Sequence, residues 1–502
     1  MRLPRACGVL LHPTSLPGPH GCGDFGEAAR RFVDWLVTAG QRIWQVLPLG
    51  GIGAGHSPYM SPSAFAGNPL LVDLADLQRR GWLRADETAP DVPFAVRRVD
   101  YATAVPWRMQ RLALAAERFA RSADAAARAQ HDRFCDEQAW WLEDYALFMA
   151  LSAAQPGRGW ADWPEGLAQR EPSALARARS RLVAELAAWR FVQWCFFRQW
   201  AELREYAHAR GVRMFGDAPI FVAVDSADVW AHPALFELDA AGRPVAVAGV
   251  PPDYFSATGQ RWGNPLYRWE AHAATGYDWW RKRVRHALDS FDLLRIDHFR
   301  GFAAYWRIPA HEPTAIRGEW MPGPGEALFL ELTRSLGPLP IVAEDLGTIT
   351  SDVERLRQAF AFPGMRVLQF AWGGDIGNPY LPHNHSPDSV IYTGTHDNDT
   401  TVGWWAGLDE TIRRHVLDYL ATDGREIHWD LVRSACASVA DTAILPMQDL
   451  LGLDGRHRMN TPGEAAGCWE WRFEWPQVAA EPAQRLAALC MLHRRDGMPP
   501  PD

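Results

Sequence analysis

The 502-residue sequence has no CxxC pair, no block of clustered Lys or Arg, and no uninterrupted apolar run near the roughly 18 residues of a membrane span. Each absence excludes a class. The His and Cys residues are too dispersed for zinc spacing, so no metal is predicted, and nothing calls for a cofactor. Seven cysteines (Cys7, Cys22, Cys135, Cys195, Cys436, Cys468 and Cys490) leave at least one thiol unpaired, and reduced, mostly buried thiols are expected. A net charge of -9 without a basic patch argues against nucleic-acid and anionic-membrane partners, whose phosphates require one. The opening MRLPRACGVLLHPTSLPG reaches His12 and Pro13 before any apolar run attains signal-peptide length, so a cytoplasmic protein is expected. There is no internal repeat.

Hydrophobic residues make up 48% of the chain and charged residues 22%, enough to bury a large core without general disorder. The 25 tryptophans are the unusual part, many standing beside Gly, Pro, Asn or Asp. Most should fill the core. An indole also offers a flat apolar face with one donor at its edge, which suits a neutral sugar ring.

Eight short runs read as strands: Cys7 to Leu11, Ile43 to Leu47, Arg213 to Phe215 continuing toward Val222, Leu293 to Ile296, Ala303 to Arg307, Ile341 to Ala343, Met365 to Phe370, and Val390 to Thr393. Most are followed by a loop and a helix-period segment. After the first, Asp24 is the expected cap, Phe25, Ala28, Ala29, Phe32, Trp35 and Leu36 form an apolar stripe, and Gly40 ends the helix. Repeated strand–helix units predict an α/β fold, a (β/α)8 barrel spanning residues 1–502 as one catalytic unit. Such a barrel needs only about 250 residues, so large insertions are expected after strands 2 and 3. They are a mainly helical one at about 67–205 and a loop-rich one at about 225–278 that forms part of a cleft lid.

Catalytic groups of a parallel barrel sit at the C-terminal ends of its strands. Three runs end there in acids: LLRIDHFRG, IVAEDLG and VIYTGTHDND, giving Asp297, Glu344 and Asp397. Strand alternation puts Arg295 on the face of Asp297, where a guanidinium lowers a carboxylate's pKa, as a nucleophile needs. Glu344 is the inward member of its Glu–Asp pair, long enough to reach a leaving-group oxygen, and crowded like charges keep such an acid protonated. A single Asp after a strand is commonly a cap, Asp345 or Asp352 would serve as one, and Asn398 and Asp399 as turn formers. Three acids ending three strands fit better the paired carboxylates that cleave sugar linkages. With strand 5 between strands 4 and 6, their backbones should lie about 10 Å apart, and the two side chains would close that to about the 5 Å of retaining enzymes.

These motifs resemble the amylomaltase or disproportionating-enzyme type of 4-α-glucanotransferase, in the α-amylase clan. The resemblance implies Asp297 as nucleophile, Glu344 as acid/base and Asp397 as transition-state stabiliser, with Arg295, His298 and His396 as supporting site residues. HSPYMSPSAFAGNP is similar to the family segment that brings Tyr59 to the donor sugar, with Ser57 beside it. GDAPIFVA matches its third-strand motif and puts Asp217 at the barrel mouth. PPDYFSATGQRWGNP is similar to the loop overhanging the cleft, with Tyr254, Phe255 and Trp262, and RMNTPG and WEWRF belong to the C-terminal part. Cys468 stands in GCW where the family has GNW, which puts one local hydrogen bond in question. The family has no separate C-terminal β-domain.

The function so implied is retaining transfer of α-1,4-glucan segments among maltooligosaccharides and starch or glycogen chains, through a covalent glycosyl-enzyme, with glucose as an acceptor. The overhanging loop favours transfer if it binds an acceptor by stacking and excludes water. An α-glucan hydrolase of the same clan and a catalytically inactive glucan-binding protein remain as alternatives.

Overall fold

The computed structural model describes residues 3–164, 166–252, 256–464, 466–478 and 480–497. Among them the chain begins with β1 (Ala6–Leu10), buried along its whole length. A strand covered on both faces has no polar side, hence its continuous apolar sequence. The helix Glu27–Thr38 follows, burying Ala29, Phe32, Val33 and Leu36. Its cap position is Gly26, not Asp24. Asp24 instead accepts hydrogen bonds from the Gly26 N–H (3.1 Å) and from Arg108 (3.4 Å), tying the helix start to the first insertion.

The remaining strands are β2 (Ile43–Gln45), β3 (Arg213–Pro219), β4 (Ala246–Val250), β5 (Gln260–Pro265), β6 (Leu293–Asp297), β7 (Ala304–Pro309), β8 (Glu319–Pro322), β9 (Ile341–Ala343), β10 (Gly364–Val367), β11 (Ser389–Tyr392) and β12 (Thr442–Pro446). Eight of them form a parallel sheet in the order β10-β11-β12-β1-β2-β3-β6-β9. Across the remaining gap the Ala343 N–H donates to the Pro363 carbonyl (2.9 Å), so the sheet curls into a barrel. The other four form an antiparallel sheet, β5-β4-β7-β8.

The expected barrel differs in one member. The run at Ala303 to Arg307 is β7, an antiparallel strand outside the barrel, and the true eighth strand is β12, absent from the predicted set. β7 is half-buried, whereas TAILP of β12 is buried at every position and abuts helices on both sides. A five-residue apolar run between helices has no periodicity to distinguish it from helix. Glu344 therefore follows the fifth barrel strand and Asp397 the seventh.

Between β2 and β3 lie the helices Leu74–Arg79, Tyr101–Ser122, Ala125–Ala154, Pro172–Arg181 and Val183–His208. Asp100 and Asp124 cap two of them through the N–H groups of Ala102 (3.2 Å) and Ala127 (2.7 Å). The second insertion draws on residues after β6 as well, since β7 and β8 complete its sheet. After β12 the described residues form helices and extended segments with no further sheet strand, and none of the described helices is long and apolar enough to cross a membrane.

The loop after β2 is clamped to the helix Val183–His208 by buried amides. Gln193 accepts from the Gly67 N–H (2.8 Å) and donates to the Gly67 carbonyl (2.9 Å). Gln199 repeats the device at Asp73 (2.7 and 3.2 Å). Any Cβ on Gly67 would overlap the Phe196 ring, so the close approach requires glycine. Gln193→Leu leaves a buried donor and a buried acceptor unsatisfied, and chemical denaturation should register a loss of about 2–4 kcal/mol.

Candidate active site

The mouth of the barrel is organised around Arg295, a buried residue on β6. Its guanidinium donates to Asp297 Oδ1 (2.6 Å) and to Asp217 Oδ2 (2.6 Å). Tyr59 Oη donates to the same Asp217 oxygen (2.7 Å). Ser57 Oγ accepts from the Tyr59 N–H (3.2 Å), capping the short turn Pro58–Met60 that aims the phenol inward. The Asp217 side chain has no exposed surface and is bonded to both Tyr59 and Arg295.

Asp297 and Glu344 are lateral neighbours. In the β6–β9 register Ile296 faces Ala343, the Glu344 N–H donates to the Ile296 carbonyl (3.1 Å), and the Phe299 N–H donates to the Glu344 carbonyl (3.1 Å). Adjacent strands lie about 4.8 Å apart, so the predicted 10 Å backbone gap does not exist. Glu344 Oε1 accepts from the Leu346 N–H (2.9 Å) and Oε2 from the His298 N–H (2.7 Å). Asp345 turns away into a structural site, accepting from the Met365 N–H (2.6 Å) near Arg357 and Arg366. Asp352 lies in the first turn of the helix Ser351–Ala359, whose cap is Thr350.

Burial, and then the Asp297 charge, push Glu344 up to about 7, against the pull of Arg295 and two backbone donors. Burial also raises Asp297. Arg295 opposes the rise, Asp217 and Asp397 add to it, and the net direction is upward. The lowered value expected from Arg295 alone is corrected by desolvation, which outweighs the guanidinium.

Asp397 approaches from the seventh strand. Its Oδ1 accepts from Asn460 Nδ2 (2.7 Å) and lies 3.3 Å from His396 Nε2, while its backbone carbonyl accepts from Arg458 (2.8 Å). Asn398 is a turn former, accepting from the N–H and Oγ1 of Thr395 (2.8 and 2.9 Å). Buried His396 stacks on Tyr59 with ring centroids 5.2 Å apart, and Trp469 lies 5.8 Å from His396 and 5.7 Å from Tyr59. Asn460, Arg458 and Trp469 were missing from the predicted site, although RMNTPG carries two of them. Cys468 does preserve a local bond. Its Sγ accepts from the Thr461 N–H at 3.3 Å, so sulfur stands where an amide was expected.

His298 begins the turn after β6 in the left-handed region (φ 53) and is buried against the edge of Trp262, centroids 4.8 Å apart. Burial lowers its pKa to about 3, which keeps the imidazole neutral, and Nε2 has no hydrogen-bond partner among the described residues. Trp262, on β5, is held by Gln260 Oε1 (3.1 Å). Tyr254 and Phe255 lie outside the described residues.

A parallel barrel with three acids on strands 4, 5 and 7, two of them laterally paired above a buried arginine, defines a barrel enzyme acting on glycosidic bonds. A family model described as 4-alpha-glucanotransferase matches residues 11–478. The chain belongs to that family, the amylomaltases, and has its 4-alpha-glucanotransferase activity. It is 50% identical over 497 residues to a 4-alpha-glucanotransferase of Thermus thermophilus, covering 97% of this chain and 99% of the relative. A second, from Synechocystis sp., is 50% identical over 495 residues, 98% of each chain. The crystallised amylomaltase from Streptococcus agalactiae in complex with acarbose matches the fold with a TM-score of 0.95 at 38% identity, covering 98% of this chain and 99% of that one.

A buried carboxyl near 7 sets a pH signature if it serves as the proton donor. The fraction of Glu344 able to donate falls as pH rises through about 7, so kcat/KM should decline on that limb. Asp297→Asn removes the neighbouring charge that raises Glu344. Carbon-13 NMR titration should then find the Glu344 carboxyl titrating at lower pH than in the wild type, and an unchanged titration would deny the coupling.

Proposed function

We propose that Asp297, Glu344 and Asp397 carry out retaining α-1,4-glucan transfer in two displacements. Glu344 gives its proton to the glycosidic oxygen while an Asp297 oxygen attacks the anomeric carbon. The carbon–oxygen bond to the leaving chain breaks, that chain departs with a free 4-hydroxyl, and a glycosyl ester remains on Asp297. Glu344, now a carboxylate, takes the proton from the 4-hydroxyl of an acceptor as its oxygen attacks the same carbon. The ester bond breaks, Asp297 is released, and Glu344 is again protonated. Maltooligosaccharides and starch or glycogen chains serve as donors and acceptors, and glucose as an acceptor.

The observation that carries this reading is the lateral pairing of Asp297 and Glu344, since retaining enzymes hold their carboxyls about 5–5.5 Å apart. Arg295 favours the ionised nucleophile, and half-exposed Asp397 is free to grip ring hydroxyls. Tyr59, His298 and His396 line the donor sugar, with Ser57, Asp217 and Arg295 fixing their positions. Trp262, on β5, shields the ester from water and stacks on the acceptor. Acarbose bound to the Streptococcus agalactiae relative supports an α-glucan cleft. A cytoplasmic setting is supported by seven free thiols, the state of a reducing compartment.

Maltotriose tests the reaction. Chromatography should find both shorter and longer maltooligosaccharides with little gain in reducing ends, whereas a steady gain without lengthening would make the enzyme a hydrolase. Glu344→Gln should lower the rate about a hundred- to ten-thousandfold with the fold intact by circular dichroism. Asp297→Asn should lose at least as much, and near-normal disproportionation by either variant refutes that residue's role.

The lid makes a separate claim. Trp262→Ala should raise the ratio of hydrolysis to transfer on maltotriose, measured as reducing ends per transfer product. An unchanged ratio removes Trp262 from water exclusion.

A further inference from the structure

Of the 51 Lys and Arg residues in the sequence, one is a lysine, Lys282. It stands beside a cavity of about 390 Å³ between the helices Ala125–Ala154, Ala227–Ala231 and Asp278–Ser290, a space lined by none of Asp297, Glu344 and Asp397. Three indoles, Trp140, Trp141 and Trp279, supply its apolar surface. Trp140 is 39% exposed, while Trp279 is buried with its N–H facing the Asp228 carboxylate.

Two of the three carboxylates that line the cavity are ion-paired. Asp278 pairs with Lys282 (2.8 Å) and Arg281 (2.8 Å), and Asp144 pairs with Arg170 (2.7 Å). Asp228, the third, is buried and accepts from a backbone N–H, and the oxygens and N–H groups of these residues are able to exchange hydrogen bonds with hydroxyls. Indole faces ringed by such groups suit a neutral polyol with apolar C–H faces, and the volume lies within the range of small-molecule pockets. The lone lysine fits this use. Its Nζ is 5.7 Å from the Trp140 ring centre, and a compact ammonium covers less of that face than a planar guanidinium, which stacks on aromatics.

The cavity is also continuous with the donor-site loop. Ser63 and Phe65 line it, and the Ala64 N–H between them donates to Asp228 Oδ2 (2.8 Å) on its opposite wall. The same loop carries Tyr59.

We propose that this cavity is an auxiliary α-glucan site that holds glucosyl units of a long chain whose reacting bond lies at the barrel mouth. The inference rests on the 4-alpha-glucanotransferase activity. A second hold on one chain raises the effective concentration of its reacting segment, so long donors gain affinity and maltotriose, too short to reach both places, does not.

Two variants test it, Trp140→Ala, which removes the exposed indole, and Ala234→Trp, which fills the exposed rim without removing a core contact. Each should raise the KM for amylose about three- to tenfold, the equivalent of one lost aromatic contact, with maltotriose kinetics unchanged. The single lysine gives an independent readout. In the Glu344→Gln protein, maltoheptaose should slow acetylation of Lys282 by an amine-reactive ester, followed by peptide mass spectrometry. Unchanged amylose KM in both variants, equal loss on maltotriose and amylose, or unprotected Lys282 would each overturn the proposal. Failure of the wild type to disproportionate maltotriose would instead strike the activity, leaving lysine protection to decide the cavity.

Discussion

The bond pair from Arg295 to Asp217 and Asp297 is the constraint on which the mouth of this barrel depends. A buried guanidinium is costly unless paired and hydrogen-bonded, and here two carboxylates meet it at 2.6 Å each. The planar fork serves both at once, which a lysine's point charge would not. Asp217 in turn receives Tyr59, so a residue from the loop after the second strand is tied to one on the fourth through one on the third. Removing the arginine would leave two buried acids without their cation and release the tyrosine with them.

That arrangement gives neighbouring carboxyls different electrostatic surroundings. Asp297 has the cation at 2.6 Å, while Glu344 has burial and the Asp297 charge against it and stands at about 7. The difference does not require different solvent exposure of two separate pockets. It follows from the β6–β9 register, which puts the second acid beside the first and leaves the guanidinium bonded to only one of them. Two acids in such contact titrate as a pair, so protonation of one is conditional on the other.

The same register shows what the sequence carries and what it hides. Asp297, Glu344 and Asp397 were legible because each ends a short apolar run, and the Arg295–Asp297 partnership because strand alternation is strictly local. Strand membership is not local. Ala304–Pro309 is apolar enough to pass for a barrel strand and becomes one only in another sheet, while TAILP carries no pattern beyond being buried. The error moved Glu344 one strand too far from Asp297. Desolvation was hidden for the same reason. Arg295 is visible two positions from Asp297, but the packing that raises the carboxyl comes from residues distant in the chain. Asn460 and Trp469 reach Asp397 and His396 from the C-terminal part by a path that no spacing rule anticipates.

Side-chain exposure climbs from 5% at Arg295 through 29% at Asp297 to 44% at Asp397. Charge interactions are strongest at the buried end, where the dielectric is low, and there the cation is bonded to the proposed nucleophile. At the open end a carboxylate keeps lone pairs available for hydroxyls. Asp397 meets that description, with Asn460 and His396 both on Oδ1. Its orientation comes from the C-terminal segment, which is itself bound to the start of the chain. Arg472 donates to the carbonyls of Leu16 (3.1 Å), Gly18 (2.9 Å) and Gly21 (3.4 Å). The wall that holds the third acid is thereby tied to the loop after the first barrel strand.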